Sequence, residues 1–208
     1  MIMNYAIISG SHRGEDVAQS FKVSNWLAGA LQKKEANNNS DIISLSGNPY
    51  PLWDEGAWNA KSDLYQKMAQ PLGVIGKADA LIIVAAEYGG MVPAGLKNFL
   101  LYITSEHVAH KPCLLVGVSA SRGGTYPIAE LRMSGYKNNR MVYIPDHLIV
   151  QSVGDVMNDH HLNNGEQPDL YIKKRAHYSL DVLAAYASAL KDMRSAGDLL
   201  DEAYPFGM

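Results

Sequence analysis

The sequence predicts one α/β domain in which a central parallel β-sheet carries helices on both faces. Five short β-type runs alternate with stretches that are long enough for helices, which is the pattern of a doubly wound sheet. Two of the runs are continuously apolar, as expected of strands that are buried on both faces of a parallel sheet. The length of 208 residues suits one hydrophobic core. We therefore expect a single domain spanning residues 1–208.

The predicted strands are short runs of apolar and β-branched residues. The third and fourth show no polar alternation, whereas a half-buried strand would alternate. In chain order the predicted strands are Tyr5–Ser9, Asp41–Leu45, Ala80–Ala86, Cys113–Ser119 and Met141–Gln151.

The predicted helices occupy the stretches between the strands and after the last one. The first, Val17–Lys34, places its apolar residues close to helical spacing. A polar stretch, Gly154–Asp169, is rich in Asn, Asp and Gly and is predicted to be a long surface loop, a kind of segment that is often functional. The other predicted helices are Ala60–Lys77, Pro93–Glu106, Pro127–Lys137 and Leu170–Ala196.

Composition excludes several classes of protein. The formal net charge of −3 and the lack of a Lys/Arg cluster argue against a nucleic-acid partner. The single cysteine excludes an internal disulfide and fits a reducing compartment. No signal-peptide pattern opens the chain, and the longest apolar run, Ala80–Ala86, is far shorter than the roughly 18 residues that cross a bilayer. We expect a soluble cytoplasmic protein without membrane insertion.

The loop after the first strand has the composition of an anion-binding turn. Ser9-Gly10-Ser11-His12-Arg13-Gly14 leads into the first helix, where amides, hydroxyls and the helix start can converge on a phosphate. Arg13 adds charged donors. Neither the dinucleotide-binding motif G-x-G-x-x-G nor the Walker motif is present. Taken alone, this loop is equally consistent with an ordinary polar turn.

The loop after the third strand predicts a surface for a flat ligand. Glu87-Tyr88-Gly89-Gly90 follows the buried strand directly, and paired glycines can keep the backbone open. Tyr88 offers an aromatic face, and the amides of residues 88–90 can bond a ring edge. The alternative is that the tyrosine caps the core and the glycines only turn the chain.

The loop after the fourth strand is again rich in small residues. Ser119-Ala120-Ser121-Arg122-Gly123-Gly124 can form a nest of amides that stabilises negative charge. A reduced flavin carries such charge along one ring edge. Three loops of this kind at strand ends are stronger evidence for a ligand site than any one of them.

These motifs resemble the NADPH-dependent FMN reductases, a family of flavodoxin-like fold that includes chromate, quinone and azo-dye reductases. Ser9 to Arg13 is similar to the family's G-S-x-R phosphate loop, and Gln19-Ser20 to the pair that closes it. The most specific match is Glu87 to Gly90 followed by Pro93…Gly95-Leu96-Lys97-Asn98, which resembles the signature E-Y-[NG]-G…P-x-x-L-K-N. The likeness covers about the first two-thirds of the chain.

The resemblance implies strand order 2-1-3-4-5, bound FMN, and NADPH or NADH as co-substrate. It also implies a small electron acceptor (a flavin, quinone, azo compound or metal oxyanion), ping-pong transfer, and a homodimer or homotetramer. The flavin performs the chemistry, so no catalytic side chain is expected. The implied cofactor-binding residues are Ser11, Arg13, Gln19 and Ser20 for the phosphate, with Glu87, Tyr88, Gly89, Gly90, Ser121, Arg122, Gly123 and Gly124 around the ring.

Two features differ from the family pattern. Ala86 stands where many members have proline. The segment Gly14–Val17 lengthens the first loop and puts Glu15 and Asp16 beside the proposed phosphate site, where inward-pointing carboxylates would weaken anion binding.

Other reactive residues are given ordinary roles. Cys113 lies in an apolar strand and is expected to be a small buried residue. Asp159-His160-His161 is not accompanied by another candidate ligand at a spacing typical of metal sites, so no metal site is predicted. Trp53 and Trp58, after the second strand, are expected to pack, with an acceptor pocket as the alternative.

Two functions other than an oxidoreductase remain open from the sequence. One is a non-enzymatic electron carrier of flavodoxin type, although Arg13 and the near-neutral charge favour the enzyme. The other is a flavin-binding protein without turnover, for which the lengthened first loop leaves room.

Overall fold

The computed structural model describes residues 2–158 and 166–197, together with residues 199, 203 and 204. Its five strands form one parallel sheet in the order β2-β1-β3-β4-β5, which confirms the predicted fold class. The strands are β1 (Asn4–Ser9), β2 (Asn39–Ser44), β3 (Ala80–Ala86), β4 (Pro112–Val118) and β5 (Val142–Val150).

Six α-helices flank the sheet in the described part of the chain, and a short 3-10 helix, Glu55–Trp58, follows β2. The helices are α1 (Gln19–Lys34), α2 (Asp63–Lys77), α3 (Ala94–Leu101), α4 (Ser105–Val108), α5 (Thr125–Arg132) and α6 (Glu166–Ser195). None of the helices, over the residues described, is long and apolar enough to span a membrane.

Two hydrophobic cores lie on the two faces of the sheet. In β3, Ile82 and Val84 pack with α1 and α6, whereas Leu81 and Ile83 pack with α2, α3 and α5. Successive side chains of a strand point to opposite faces, so both sets of positions must be apolar when both faces are covered. This arrangement explains the continuous apolar run in the sequence.

Helix starts differ from the predicted ones where a cap or turn intervenes. The hydroxyl of Ser62 accepts a hydrogen bond from the Tyr65 amide at 3.0 Å, so α2 begins at Asp63 rather than Ala60. The prediction of one helix over Pro93–Glu106 was wrong, because the chain leaves the helix after Leu101.

Thr104 starts the second of these two helices. The Thr104 side chain accepts a hydrogen bond from the His107 amide, and the His107 side chain accepts one from the Thr104 amide. This capping box begins α4 at Ser105. The last helix begins earlier than predicted, at Glu166, so the predicted loop Gly154–Asp169 is shortened at its end. Residues 159–165 of that loop, and with them the Asp159-His160-His161 prediction, lie outside the described residues.

Candidate functional site

The three glycine-containing loops lie side by side at the carboxyl-end edge of the sheet. We name them loop 1 (residues 10–18), loop 2 (residues 87–93) and loop 3 (residues 119–124). β3 pairs with both β1 and β4, and hydrogen bonds continue beyond the strands. The Gly10 amide donates to Val84 O at 2.8 Å, and the Glu87 amide donates to Val118 O at 2.9 Å. The loops therefore share the position at which open parallel sheets bind ligands.

Loop 1 is joined to loop 2 by a buried serine. Ser11 is 3% exposed, and its hydroxyl oxygen lies 2.6 Å from that of Tyr88. The Ser11 oxygen also accepts a hydrogen bond from the Arg13 amide at 3.2 Å. The Ser11 backbone amide has no acceptor among the described residues. Arg13 is exposed, and its guanidinium makes no hydrogen bond or ion pair with them.

The start of α1 holds unpaired polar groups. Ala18 precedes the helix and provides no side-chain cap, and the first turn contains no acidic residue. The amides of Gln19 and Ser20 donate to no acceptor in the described chain. Ser20 is 2% exposed, and both its hydroxyl and Gln19 Oε1 are buried without a partner there. Buried polar atoms are rarely left unpaired, and a free helix start attracts anions. The geometry fits an anionic ligand.

The two extra carboxylates of loop 1 are directed to solvent. Glu15 and Asp16 are both exposed. A Cβ added to Gly14 would lie 2.7 Å from Asp16 Oδ1, so that carboxylate folds back over its own loop. Solvent screens exposed charges, which limits their repulsion of an anion at the helix start.

Loop 2 is a tight turn that depends on its glycines. Tyr88 and Met91 exchange backbone hydrogen bonds of 3.1 Å in both directions. Gly89 and Gly90 have φ values of +58° and +74°, in the left-handed region. The Tyr88 amide is therefore committed to the turn and is not free for a ring edge as expected. The amides of Gly89 and Gly90 have no described acceptor, and nothing lies within 4 Å of a Cβ built on Gly90.

Glu87 connects loop 2 to loop 3. Its Oε2 accepts a hydrogen bond from the Gly124 amide. A Cβ on Gly123 would lie 2.6 Å from Glu87 Oε1, so this glycine makes room for the carboxylate. A side chain of the protein therefore already fills the space beside this glycine.

Loop 3 is held by the two residues that follow β5. The side-chain amide of Gln151 donates to Gly123 O at 3.1 Å and also to Arg122 O. The Ser152 amide donates to Ser121 O at 2.8 Å. The predicted nest of amides is therefore only partly available. The amides of Arg122 and Gly123 have no acceptor in the described part, while that of Gly124 serves the glutamate.

Sequence reasoning missed Glu130, which fixes loop 2 from α5. Its carboxylate accepts hydrogen bonds from Lys97 Nζ at 2.7 Å and from the Val92 amide at 2.8 Å. These two bonds, the one from Lys97 first, lower the pKa of Glu130. A single glutamate in a helix gives no sequence signal for such a role.

His12 was also missed, although it lies within the predicted phosphate loop. Its Nε2 is buried with no partner among the described residues, and burial lowers the pKa of the imidazole. A Cβ on Gly95 would overlap the ring. Gly95 therefore lets loop 1 pack against the start of α3.

The loop after β2 is fastened to α3. The Trp53 amide donates to Asn98 Oδ1 at 2.8 Å, and Asn98 Nδ2 donates to Pro51 O at 2.7 Å. Trp53 and Trp58 form an edge-to-face pair with centroids 5.1 Å apart. Trp58 is 72% exposed, so the predicted packing holds for this pair but leaves one ring open to solvent.

A cavity of about 860 Å³ runs beside α1. Its wall includes Gln19 and Trp26 of α1, Met157 after β5, and His177 of α6. No residue of loop 2 or loop 3 lines it. The end of loop 1 and Gln19 therefore border this cavity, whereas the predicted site residues of loops 2 and 3 form an open edge surface outside it.

The remaining reactive residues lack a site of their own. Cys113 is fully buried, and burial raises the pKa of its thiol, as expected for a packing residue. Within the part of the chain that the structure describes, no cluster of three or more His, Cys, Asp and Glu residues is arranged to hold a metal ion.

Comparison with known proteins places this arrangement in a family. The family model described as NADPH-dependent FMN reductase matches residues 3–155. An NAD(P)H-dependent FMN reductase of Schizosaccharomyces pombe is 28% identical over 162 residues, covering 72% of this chain and 77% of the relative.

Similar solved structures agree on the fold. An oxidoreductase from Corynebacterium diphtheriae superposes with a TM-score of 0.66 at 13% identity, covering 90% of this chain and 98% of its own. An NAD(P)H:quinone oxidoreductase from Methanothermobacter marburgensis does so with a TM-score of 0.58 at 15% identity, covering 86% and 98%. The chain belongs to the NADPH-dependent FMN reductase family and is an NAD(P)H-dependent oxidoreductase that uses FMN.

Proposed function

We propose that FMN binds across loops 1, 2 and 3, with its phosphate at the start of α1 and its ring over loops 2 and 3. The binding set combines residues whose polar groups are free with residues that shape the surface. It consists of Ser11, Arg13, Gln19, Ser20, Glu87, Tyr88, Gly89, Gly90, Ser121, Arg122, Gly123 and Gly124.

The buried hydroxyl of Ser20, which has no partner among the described residues, carries this proposal. It lies in the first turn of an uncapped helix, next to two amides without acceptors. A phosphate monoester supplies acceptor oxygens for these donors and benefits from the positive end of the helix. Arg13, which has no ion-pair partner in the described chain, adds a guanidinium fork for the same group.

The ring position rests on the free amides of the other two loops. Two amides in each loop have no acceptor among the described residues: those of Gly89 and Gly90 in loop 2, and those of Arg122 and Gly123 in loop 3. Donors fixed in place along a ring edge stabilise negative charge that develops there. In this arrangement Glu87 is a positioning residue, because its carboxylate holds loop 3 against loop 2.

Bound FMN supplies the redox chemistry, taking a hydride from the nicotinamide and giving electrons to an acceptor. The protein contributes placement: the loops bind the flavin edges and leave one open surface. We propose that NAD(P)H and a small acceptor use this surface in turn, in a ping-pong sequence. A quinone is the first acceptor to test, since a structural neighbour is named a quinone oxidoreductase.

Initial-rate kinetics of the FMN-loaded protein tests this function. Rates are measured with NADPH or NADH against benzoquinone, free FMN, an azo dye and chromate. Parallel lines in double-reciprocal plots support the ping-pong order, whereas intersecting lines refute it. Calorimetry should show tighter binding of FMN than of FAD, because the proposed site accommodates a ligand that ends in one phosphate monoester.

We propose that the protein is a homodimer formed through the outer faces of α3 and α5. Lys97 and Glu130 bridge these helices, and residues one turn away share the same face. Those neighbours include Leu101, 62% exposed, and Met133, 78% exposed. Several exposed apolar residues on one face favour an interface there, and Met91, also exposed, adds to them from loop 2. A second copy would therefore border the flavin site.

Sedimentation of an interface variant tests the dimer. Met133→Glu should convert the protein to a monomer at micromolar concentration. Tyr171→Glu is the control, since Tyr171 is 68% exposed but lies on α6, away from α3 and α5. A dimer that persists in Met133→Glu, or a monomeric wild type, contradicts the proposal.

We propose the cytoplasm as the compartment. The chain's one cysteine is free and buried, which suits a reducing environment. Fractionation of cells that carry a tagged copy tests this assignment, and recovery outside the cytoplasmic fraction would overturn it.

A further inference from the structure

A second cavity, of about 460 Å³, lies at the amino ends of the strands, opposite loops 1 to 3. This volume is within the range of small-molecule sites. Lys111, which directly precedes β4, and Arg194, in the last turn of α6, contribute to its wall. His110, Ser105 and Glu106 line it as well.

Lys111 places a desolvated ammonium group at this cavity. The residue is 9% exposed, and Nζ donates to Ile75 O at 3.2 Å and to Gly76 O at 2.7 Å. Burial, together with the nearby Arg194 and opposed in part by Asp79, lowers the pKa of Lys111 to about 8. The two hydrogen bonds cap the last turn of α2. They leave the third N–H of the ammonium without an acceptor in the described chain.

Two further basic groups, those of Arg194 and His110, lie at the cavity and take no part in capping α2. Arg194 Nη1 donates to His110 O at 2.8 Å, and its remaining donors have no described partner. Burial lowers the pKa of this guanidinium. His110 has a φ of +57°, and its Nε2 is buried without a partner in the part of the chain that the structure describes. Burial, with the charges of Arg140 and Arg194, lowers the pKa of the imidazole.

One carboxylate, that of Asp79, offsets these cations in part: its charge raises the pKa of both Lys111 and Arg194, although burial outweighs it in each case. Asp79 lies 3.0 Å from Lys191 Nζ and also accepts a hydrogen bond from the Asn4 amide at 3.0 Å. Glu106 is exposed at the wall of the cavity. Asp79 is thus shared among Lys111, Arg194 and Lys191, which leaves net positive charge at the cavity. Desolvated positive charge in excess of its counter-charge is costly, so an anion that enters between Lys111 and Arg194 is stabilised.

We propose that this cavity binds a phosphate group, carried by a small phosphorylated molecule or present as free phosphate. A guanidinium fork beside an ammonium is suited to a tetrahedral anion with several acceptor oxygens. The site is independent of the flavin surface, since it lies at the other end of the strands and shares no residue with loops 1 to 3.

Calorimetric titration of the FMN-loaded protein at constant ionic strength and pH 7 tests the proposal. Inorganic phosphate and ribose 5-phosphate are the two probes, and saturating FMN keeps the flavin site occupied. Arg194→Gln should weaken binding of both probes about tenfold or more, as expected when hydrogen bonds to a charged group are lost. Lys33→Gln is the control, because it removes the same charge from an exposed position on α1.

Saturable binding that Arg194→Gln weakens and Lys33→Gln leaves unchanged supports the site. Tighter binding of ribose 5-phosphate identifies a phosphorylated molecule as the ligand, and equal or weaker binding identifies free phosphate. If Arg194→Gln does not fold, Arg194→Lys replaces it and should weaken binding several-fold. Equal losses in the arginine and control variants, or no saturation at tens of millimolar, overturn the proposal.

Discussion

Replacing Ser20 with alanine distinguishes a ligand-binding serine from a structural one. The hydroxyl of Ser20 is buried and has no partner in the described chain, so its removal breaks no hydrogen bond of the protein. An unpaired buried hydroxyl is itself destabilising. The apoprotein should therefore keep its free energy of unfolding or gain up to about 1 kcal/mol.

FMN affinity should change in the opposite sense. A hydrogen bond to a charged phosphate contributes about 1.5–3 kcal/mol, so Ser20→Ala should weaken FMN binding about 10- to 150-fold. Calorimetry gives the affinity, and urea denaturation of the apoprotein gives the stability. The Ser20 hydroxyl makes no hydrogen bond with the described residues of loops 2 and 3, so the spectrum of the bound flavin should remain that of the wild type.

Ser24 provides a matched control one turn further along α1. It is fully buried, and its hydroxyl donates to Ser20 O at 2.9 Å. Ser24→Ala should cost at most about 1 kcal/mol of stability and leave FMN affinity unchanged. A Ser20→Ala protein that is less stable yet binds FMN normally would show that the hydroxyl has a structural role and that the phosphate lies elsewhere.

Three further predictions concern the loops and the opposite end of the sheet. Gly123→Ala should lower the free energy of unfolding of the apoprotein by about 1–3 kcal/mol, because the new Cβ would lie 2.6 Å from Glu87 Oε1. In a double-mutant cycle, the same substitution in a Glu87→Ala background should cost less. Glu130→Ala leaves the Val92 amide without its acceptor, so we expect weaker FMN binding and faster amide hydrogen exchange in loop 2; unchanged exchange would refute the role. Folding lowers the pKa of Lys111 from its ordinary 10.5 to about 8. Between pH 8 and 10.5 the unfolded chain therefore binds more protons than the folded one, so the free energy of unfolding should rise with pH. Denaturation from pH 7.5 to 9.5 should show this rise in the wild type and its loss in Lys111→Met; parallel profiles would contradict it.

The sheet was predictable because its pattern is local and strong. The run Ala80–Ala86 has no polar residue, and its short length favours a strand covered on both faces. Helix limits were less predictable. The break after Leu101 depends on Thr104 and His107 exchanging hydrogen bonds with each other's amides, an arrangement that the apolar spacing does not report.

The site was predictable as a set of loops but not in its internal contacts. Glycines and hydroxyls after β1, β3 and β4 mark an edge where a ligand can bind. The bond from the Gly124 amide to Glu87, and the contact between Ser11 and Tyr88, depend on how the loops pass one another in space. The paired residues are 37 and 77 positions apart in the sequence, and no sequence pattern reports contacts at such separations. For this reason Gly123 was assigned to the ligand rather than to the contact with Glu87.

A crystal structure of the complex with FMN tests the central claim most directly. We predict that the phosphate oxygens accept hydrogen bonds from the amides of Gln19 and Ser20 and from the Ser20 hydroxyl, with Arg13 against the same group. The ring should lie over Gly89 and Gly90, within reach of their free amides. A phosphate bound away from the start of α1, or FMN in the cavity beside α1 with loops 2 and 3 untouched, would contradict the account.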